Sequence, residues 1–133
     1  MHFTKLLVPV DGAEVAAAAL PVARLLALAT GAEVTLVTVA PPGTQPGSSR
    51  EMRYYLDSVA STERAAGVAV HTTLRLGDPA SAIVQLARET KPNLIIMATH
   101  GRKGLSRTIL GSVTDKVLRG SSAPMLVLRP SER

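Results

Sequence analysis

Between an apolar run, Leu94-Ile95-Ile96-Met97-Ala98, and a helical stretch marked by Val113, Val117 and Leu118, the chain carries two unusual segments. They are Thr99-His100-Gly101-Arg102-Lys103-Gly104 and Leu110-Gly111-Ser112-Val113-Thr114. Glycine lets backbone N–H groups approach an anion with no Cβ in the way. A helix opening at Ser112 would add unpaired N–H donors and the positive end of its dipole, and the serine a hydroxyl. The chemistry these residues suit is the holding of a phosphate by amides. Neither Gly-x4-Gly-Lys-Ser/Thr nor Gly-x-Gly-x-x-Gly occurs. From spacing alone a second explanation stands level: Gly101 and Gly104 make a tight loop, and Gly111 relieves crowding at a helix start.

The other unusual strand end is Leu6-Leu7-Val8-Pro9-Val10, closed by Asp11-Gly12; on type alone Asp11 reads as a turn residue before a glycine. His100 reads as shaping its loop rather than as a general base. Asp115, the nearest acidic residue downstream, falls a helical turn into the next element. His2, His71 and His100 lack metal-ligand spacing. Cysteine is absent, which excludes disulfides, thiolate metal sites and thiol nucleophiles. No carboxylate cluster accompanies the glycines, and a hydrolase needs a positioned water, a base and usually a metal. Hydrolysis of a bound phosphate compound is therefore the least favoured chemistry, and no catalytic residue is assigned.

These strand ends need elements to hold them. Val15, Ala18, Ala19, Val22, Leu25, Leu26 and Ala29 fit an amphipathic helix, with Gly31 placed to end it. Pro21 inside that stretch should kink the helix or open a second start. A Val- and Thr-rich strand spans Glu33 to Ala40, followed by a breaker-dense loop from Pro41 to Ser49. A second helix is expected from about Arg50 to Ala66, its inner face Met52, Tyr55, Leu56, Val59 and Ala66. Val68, Val70, Thr72, Leu74 and Leu76 alternate with Ala69, His71, Thr73 and Arg75, the pattern of a strand at a sheet edge. Asp78-Pro79 starts a third helix, Asp as N-cap and Pro at N1, burying Ile83, Leu86 and Ala87 and stopping near Thr90. Leu94 to Ala98 is apolar on both parities, as an interior strand should be. A fourth helix follows, then a last strand, Met125-Leu126-Val127-Leu128. The order βαβαβαβαβ calls for an α/β fold: a three-layer, open, parallel five-stranded sheet with helices on both faces. Ligands of such sheets bind beyond the carboxyl ends of the strands, where the winding reverses.

The chain has 133 residues, 46% of them hydrophobic and 19% charged. That suits one domain, residues 1–133, with a real core. A net charge of +5 invites a nucleic-acid partner, yet one Phe and two Tyr leave almost no stacking faces. A solvated basic surface or a small anionic ligand fits better. The opening apolar run, Leu6 to Val10, is too short for a signal-peptide core or a membrane span. A cytoplasmic setting, with neither membrane nor nucleic acid as partner, is the expectation.

Val8-Pro9-Val10-Asp11-Gly12, Met97-Ala98-Thr99-His100-Gly101, Gly111-Ser112-Val113 and Pro124-Met125-Leu126-Val127-Leu128 together resemble the universal stress protein family, in order and along essentially the whole chain. The resemblance narrows the fold to a Rossmann-like sheet of the adenine-nucleotide alpha-hydrolase-like kind. Nucleotide-binding members carry Gly-x2-Gly-x9-Gly-Ser/Thr. Gly101 and Gly111-Ser112 match its second half, whereas Ala98 replaces the first glycine and Gly12 stands where serine is usual. The resemblance implies ATP, alone or with magnesium, as ligand. Adenine would lie near Pro9, Val10 and Val39, and Asp11 would accept hydrogen bonds from ribose hydroxyls. Met97, Ala98, His100 and Gly101 would line the phosphate loop, with Gly111, Ser112 and Val113 on phosphate oxygens and Arg102 neutralising charge. It further implies a stress-response binding or signalling module, homodimeric through Met125–Leu128. Since part of the family binds no nucleotide, a dimeric interaction protein without ATP is the alternative, favoured by Ala98, and a slow ATP hydrolase ranks below both.

Overall fold

A computed structural model describes residues 3–11, 17–99 and 111–129. Among them run β1 (Lys5–Pro9), α1 (Ala19–Thr30), β2 (Glu33–Ala40), α2 (Pro46–Ala65), β3 (Val70–Leu76), α3 (Pro79–Thr90), β4 (Leu94–Ala98), α4 (Ser112–Gly120) and β5 (Met125–Leu128). The strands form one parallel sheet in the order β3-β2-β1-β4-β5. Winding reverses between β1 and β4, whose neighbours Leu6↔Leu94 and Leu7↔Ile95 set the register.

Alternation along β1 divides the core. Leu6, Val8 and Val10 join Leu36, Ile96 and the buried sides of α1 and α2, while Leu7 joins Val37, Ile95, Met97 and the buried sides of α3 and α4. Ile96 is fully enclosed; truncating such a side chain to alanine costs about 2–5 kcal/mol.

The edge assignment of β3 and the interior burial of β4 match the sequence pattern. So does the start of α3. Asp78 accepts hydrogen bonds from the Ser81 amide (3.0 Å) and hydroxyl (2.9 Å), and Pro79 sits at the helix start.

Two helices differ from expectation. In α1 the buried stripe is Ala19, Ala23 and Ala27, whereas Leu25 is 69% exposed. Alanines one turn apart let this helix lie close to the sheet, and an alanine-rich sequence offers little contrast for locating its inner face. Pro21 falls in the first turn, where a missing N–H costs no helical bond, so it acts at a helix start. Val15 lies outside the described residues. α2 begins at Pro46, four residues before expectation, because proline at N1 suits a helix start. Pro46 to Ser49 are thus helix rather than loop. Ala66 is exposed at its end, and Ala60 and Glu63 are buried instead. Glu63 is held by a two-pronged ion pair with Arg24 of α1, 2.7 Å at each contact, which ties the two helices together. Leu118 of α4 is also largely exposed.

Candidate functional site

The carboxyl ends of β1 and β4, adjacent strands at the reversal, form the centre of the candidate site. β1 delivers Pro9, Val10 and Asp11. Val10 is buried, its N–H donating to the Val37 carbonyl (2.8 Å) and its carbonyl accepting the Thr38 hydroxyl (2.7 Å). Its backbone is thereby committed to fixing the strand exit, and its side chain belongs to the core beneath α1. Pro9 has the parity of Leu7 and so faces the α3–α4 side, where Val39, Met97 and Val113 also pack. Pro9 and Val39 remain half-buried at the rim of the sheet. The three residues expected near adenine therefore divide: Pro9 and Val39 on one face, Val10 on the other. Asp11 is exposed directly beyond the strand.

On the other side of the reversal, Ala98 ends β4 opposite Leu128 of β5. Its φ is not positive; among the described non-glycine residues only Lys91, at φ 49°, has that geometry. Alanine in place of the family's glycine thus carries no backbone strain here, and its methyl packs against the α1-side core. Thr99, next in sequence, donates its N–H to the Leu128 carbonyl at 2.8 Å and is 4% exposed.

α4 opens at Gly111, which has φ −60° and ψ 152° and no side chain with which to cap the helix. The first helical bond runs from the Asp115 amide to the Gly111 carbonyl, 2.9 Å, so the amides of Ser112, Val113 and Thr114 have no acceptor within the helix. Ser112 is exposed and Val113 half-buried. The Gly111 amide itself is spent inside the protein, donating to Thr99 Oγ1 at 3.0 Å. Asp115, one turn into α4, pairs with Arg119 at 3.0 Å. Among the described residues no group of three or more His, Asp or Glu side chains is placed to hold a metal. A groove of about 370 Å³ between α3 and α4, reaching from Ala80 and Val84 to Lys116 and Gly120, is separate from the residues assigned to the site.

Nine of the expected site residues thus fall in described structure: Pro9, Val10, Asp11, Val39, Met97, Ala98, Gly111, Ser112 and Val113. His100, Gly101 and Arg102 lie outside the described residues. Two residues escaped sequence reading: Thr38, which anchors the exit of β1, and Thr99, which anchors the start of α4. The available signal was a hydroxyl near the end of an otherwise apolar strand. Chemically, the arrangement offers an exposed carboxylate, a half-buried apolar rim and a helix start without a side-chain cap at the carboxyl end of the sheet.

Known proteins share this architecture. A protein from Methanocaldococcus jannaschii first described as hypothetical protein MJ0577 superposes with a TM-score of 0.88 at 25% identity, covering all of both chains. A universal stress protein in complex with cAMP superposes with a TM-score of 0.81 at 26% identity, over 98% of this chain and 100% of that one. In sequence, universal stress protein MJ0531 of the same archaeon is 31% identical over 98% of this chain and 85% of its own length. The pattern of the Universal stress protein family matches residues 2–129. The chain belongs to the universal stress protein family.

Proposed function

We propose that this protein is an ATP-binding stress-response module, whose nucleotide occupancy alters its shape or partners, and that it is not an enzyme. The observation that carries this is that β1, which ends just before Asp11, and β4, after which Thr99 holds the start of α4, are neighbours at the winding reversal. ATP, alone or with magnesium, lies with adenine near Pro9 and Val39, beside the strand exit that Val10 fixes, and Asp11 accepts hydrogen bonds from the ribose hydroxyls. Met97 and Ala98 line the phosphate end. The amides of Ser112 and Val113, which have no acceptor within the helix, and the Ser112 hydroxyl take phosphate oxygens, since a helix N-terminus favours anions. His100, Gly101 and Arg102 complete the phosphate loop. The complex of a relative with cAMP supports an adenine nucleotide as the ligand class. A switch follows only if ATP favours one conformation over another.

Purified protein, denatured and analysed by mass, should release adenine nucleotide, and ATP titration should evolve or absorb heat. Absence of both would overturn the proposal and leave an interaction protein of the same fold. Ala98 favours that second reading, although its ordinary backbone and inward methyl weaken the objection.

The module is proposed to be a homodimer through β5, and the two sheet edges support this. On β3, the N–H and C=O of Val70 and Thr72 point outward, because Ala69 turns its carbonyl to β2. Arg64 covers the Val70 carbonyl at 2.8 Å, and Arg53 and Arg75 line the same strand. On β5, Pro124 and Leu128 turn their carbonyls to β4, leaving Met125 and Val127 facing outward on a short apolar edge. Such an edge invites pairing. Sedimentation at micromolar concentration should show a dimer that Val127→Pro converts to monomer; a monomeric parent protein would contradict it. Among the described residues no helix is long and apolar enough to cross a membrane. The proposed setting is the cytoplasm.

A further inference from the structure

Gly111 is a glycine at an ordinary backbone conformation, φ −60°, that any residue can adopt. Conformational freedom therefore does not explain it. Space does: a Cβ built there would stand 2.8 Å from Thr99 Oγ1, closer than the two atoms can approach. The same Thr99 oxygen accepts the Gly111 amide at 3.0 Å, across twelve positions of sequence. Thr99 is held in turn by its own N–H on the Leu128 carbonyl, 2.8 Å, and is almost wholly enclosed. A rigid chain of contacts thus runs from β5 through the end of β4 to the first residue of α4.

We infer that Thr99 is the positioning residue of the candidate anion site. Its buried hydroxyl, by accepting the Gly111 amide, fixes the first turn of α4 against the end of β4, and Gly111 lacks a side chain because Thr99 occupies that space. The hydroxyl anchors from a distance a helix whose own N-cap residue has no side chain. It also removes Gly111 from the set of anion donors, aiming Ser112 and Val113 instead. Thr99 needs no contact with the ligand for this. It acts through the placement of two amides, and a shift of even about 1 Å in such donors weakens their grip.

This deepens the nucleotide reading and rests on it for the ligand, so the test has one arm that needs no ligand. Amide hydrogen exchange at Gly111, Ser112 and Val113, and ATP titration by calorimetry, would be compared for the parent protein, Thr99→Val and Thr99→Ser. Thr99→Val keeps the shape and removes the acceptor. Exchange at Gly111 should quicken about tenfold and ATP affinity fall about three- to tenfold, the range of one neutral hydrogen bond. Thr99→Ser retains the hydroxyl and should stay within about twofold on both. Unchanged exchange in Thr99→Val, or a Thr99→Ser variant as impaired as Thr99→Val, overturns the assignment. A parent protein that takes up no ATP defeats the nucleotide reading alone, because the exchange arm still decides the role of Thr99.

Should Thr99→Val fail to fold, the steric half decides. Gly111→Ala should push the residue-111 amide off Thr99 Oγ1, because its Cβ takes that space, and quicken exchange about tenfold at position 111 and across residues 112–114. Exchange in Gly111→Ala as slow as in the parent protein overturns the proposal.

Discussion

α3 and α4 lie side by side on one face of the sheet and begin in opposite ways. α3 closes its own start: Pro79 has no N–H to satisfy, and Asp78 accepts the Ser81 amide before the first helical bond, Ala82 to Asp78, is made. α4 opens on a glycine, and three amides, from Ser112 to Thr114, precede its first helical bond. Of these two, the helix that starts at the strand reversal is the one without a side-chain cap. A helix stabilised by its own carboxylate has no use for an external anion, whereas one held in place from β4 can keep its amides for a ligand.

The sharpest way to break the contrast is to give α4 the start that α3 has. Gly111→Asp places a carboxylate at the N-cap, where it takes the Thr114 amide and repels phosphate, and sets a Cβ against Thr99. ATP affinity should fall about a hundredfold by calorimetry, since a lost charge-assisted site and a displaced helix start act together. Affinity within a few fold of the parent would show that these amides do not hold phosphate.

The converse change is smaller. Asp78→Ala removes the cap of α3 and should lower the melting temperature by about 3–5 °C, with ATP affinity unchanged. A fall in affinity equal to that of Gly111→Asp would erase the distinction between the two helices.

Acid should loosen α3 in the same sense. The Ser81 amide, and after it the Ser81 hydroxyl, hold the Asp78 carboxyl below its ordinary value of 3.8. Arg75 does the same for Glu89, below 4.5. Both carboxyls titrate lower folded than unfolded. Their support is therefore complete above those ordinary values and is lost as pH falls through the lowered ones. Asp78→Asn should flatten part of the acid limb below about pH 4, measured as melting temperature against pH. An unchanged limb would contradict the capping role.

Ala98→Gly should have the smallest effect. The alanine already has an ordinary backbone and an inward methyl, so restoring the family's glycine should alter ATP affinity by less than about threefold. A gain of tenfold or more would show that close approach at position 98 matters.

How much of this was legible beforehand follows from what each residue announces. Asp78-Pro79 states its helix start in two letters, and the alternation from Val68 to Leu76 states its edge. The start of α2 was obscured because Pro46 is both a breaker and an N1 residue, and only its neighbours' packing decides which. The face of α1 was read only in part, because Leu25 and Leu28 point outward while Ala23 and Ala27 pack inward beside Ala19 and Leu26. At the candidate site, the glycines and serine were visible by spacing. Thr99 was not, because a threonine ending an apolar strand looks like any β-branched residue until Gly111 is brought back beside it.

The central claim is that the uncapped start of α4 holds phosphate. Its most direct test is the backbone amide NMR spectrum on adding ATP. The Ser112 and Val113 amides should shift strongly at saturation, while Ala80 to Ala82 at the capped start of α3 stay in place. Ser112 and Val113 unmoved at saturating ATP, or shifts confined to α3, would contradict it.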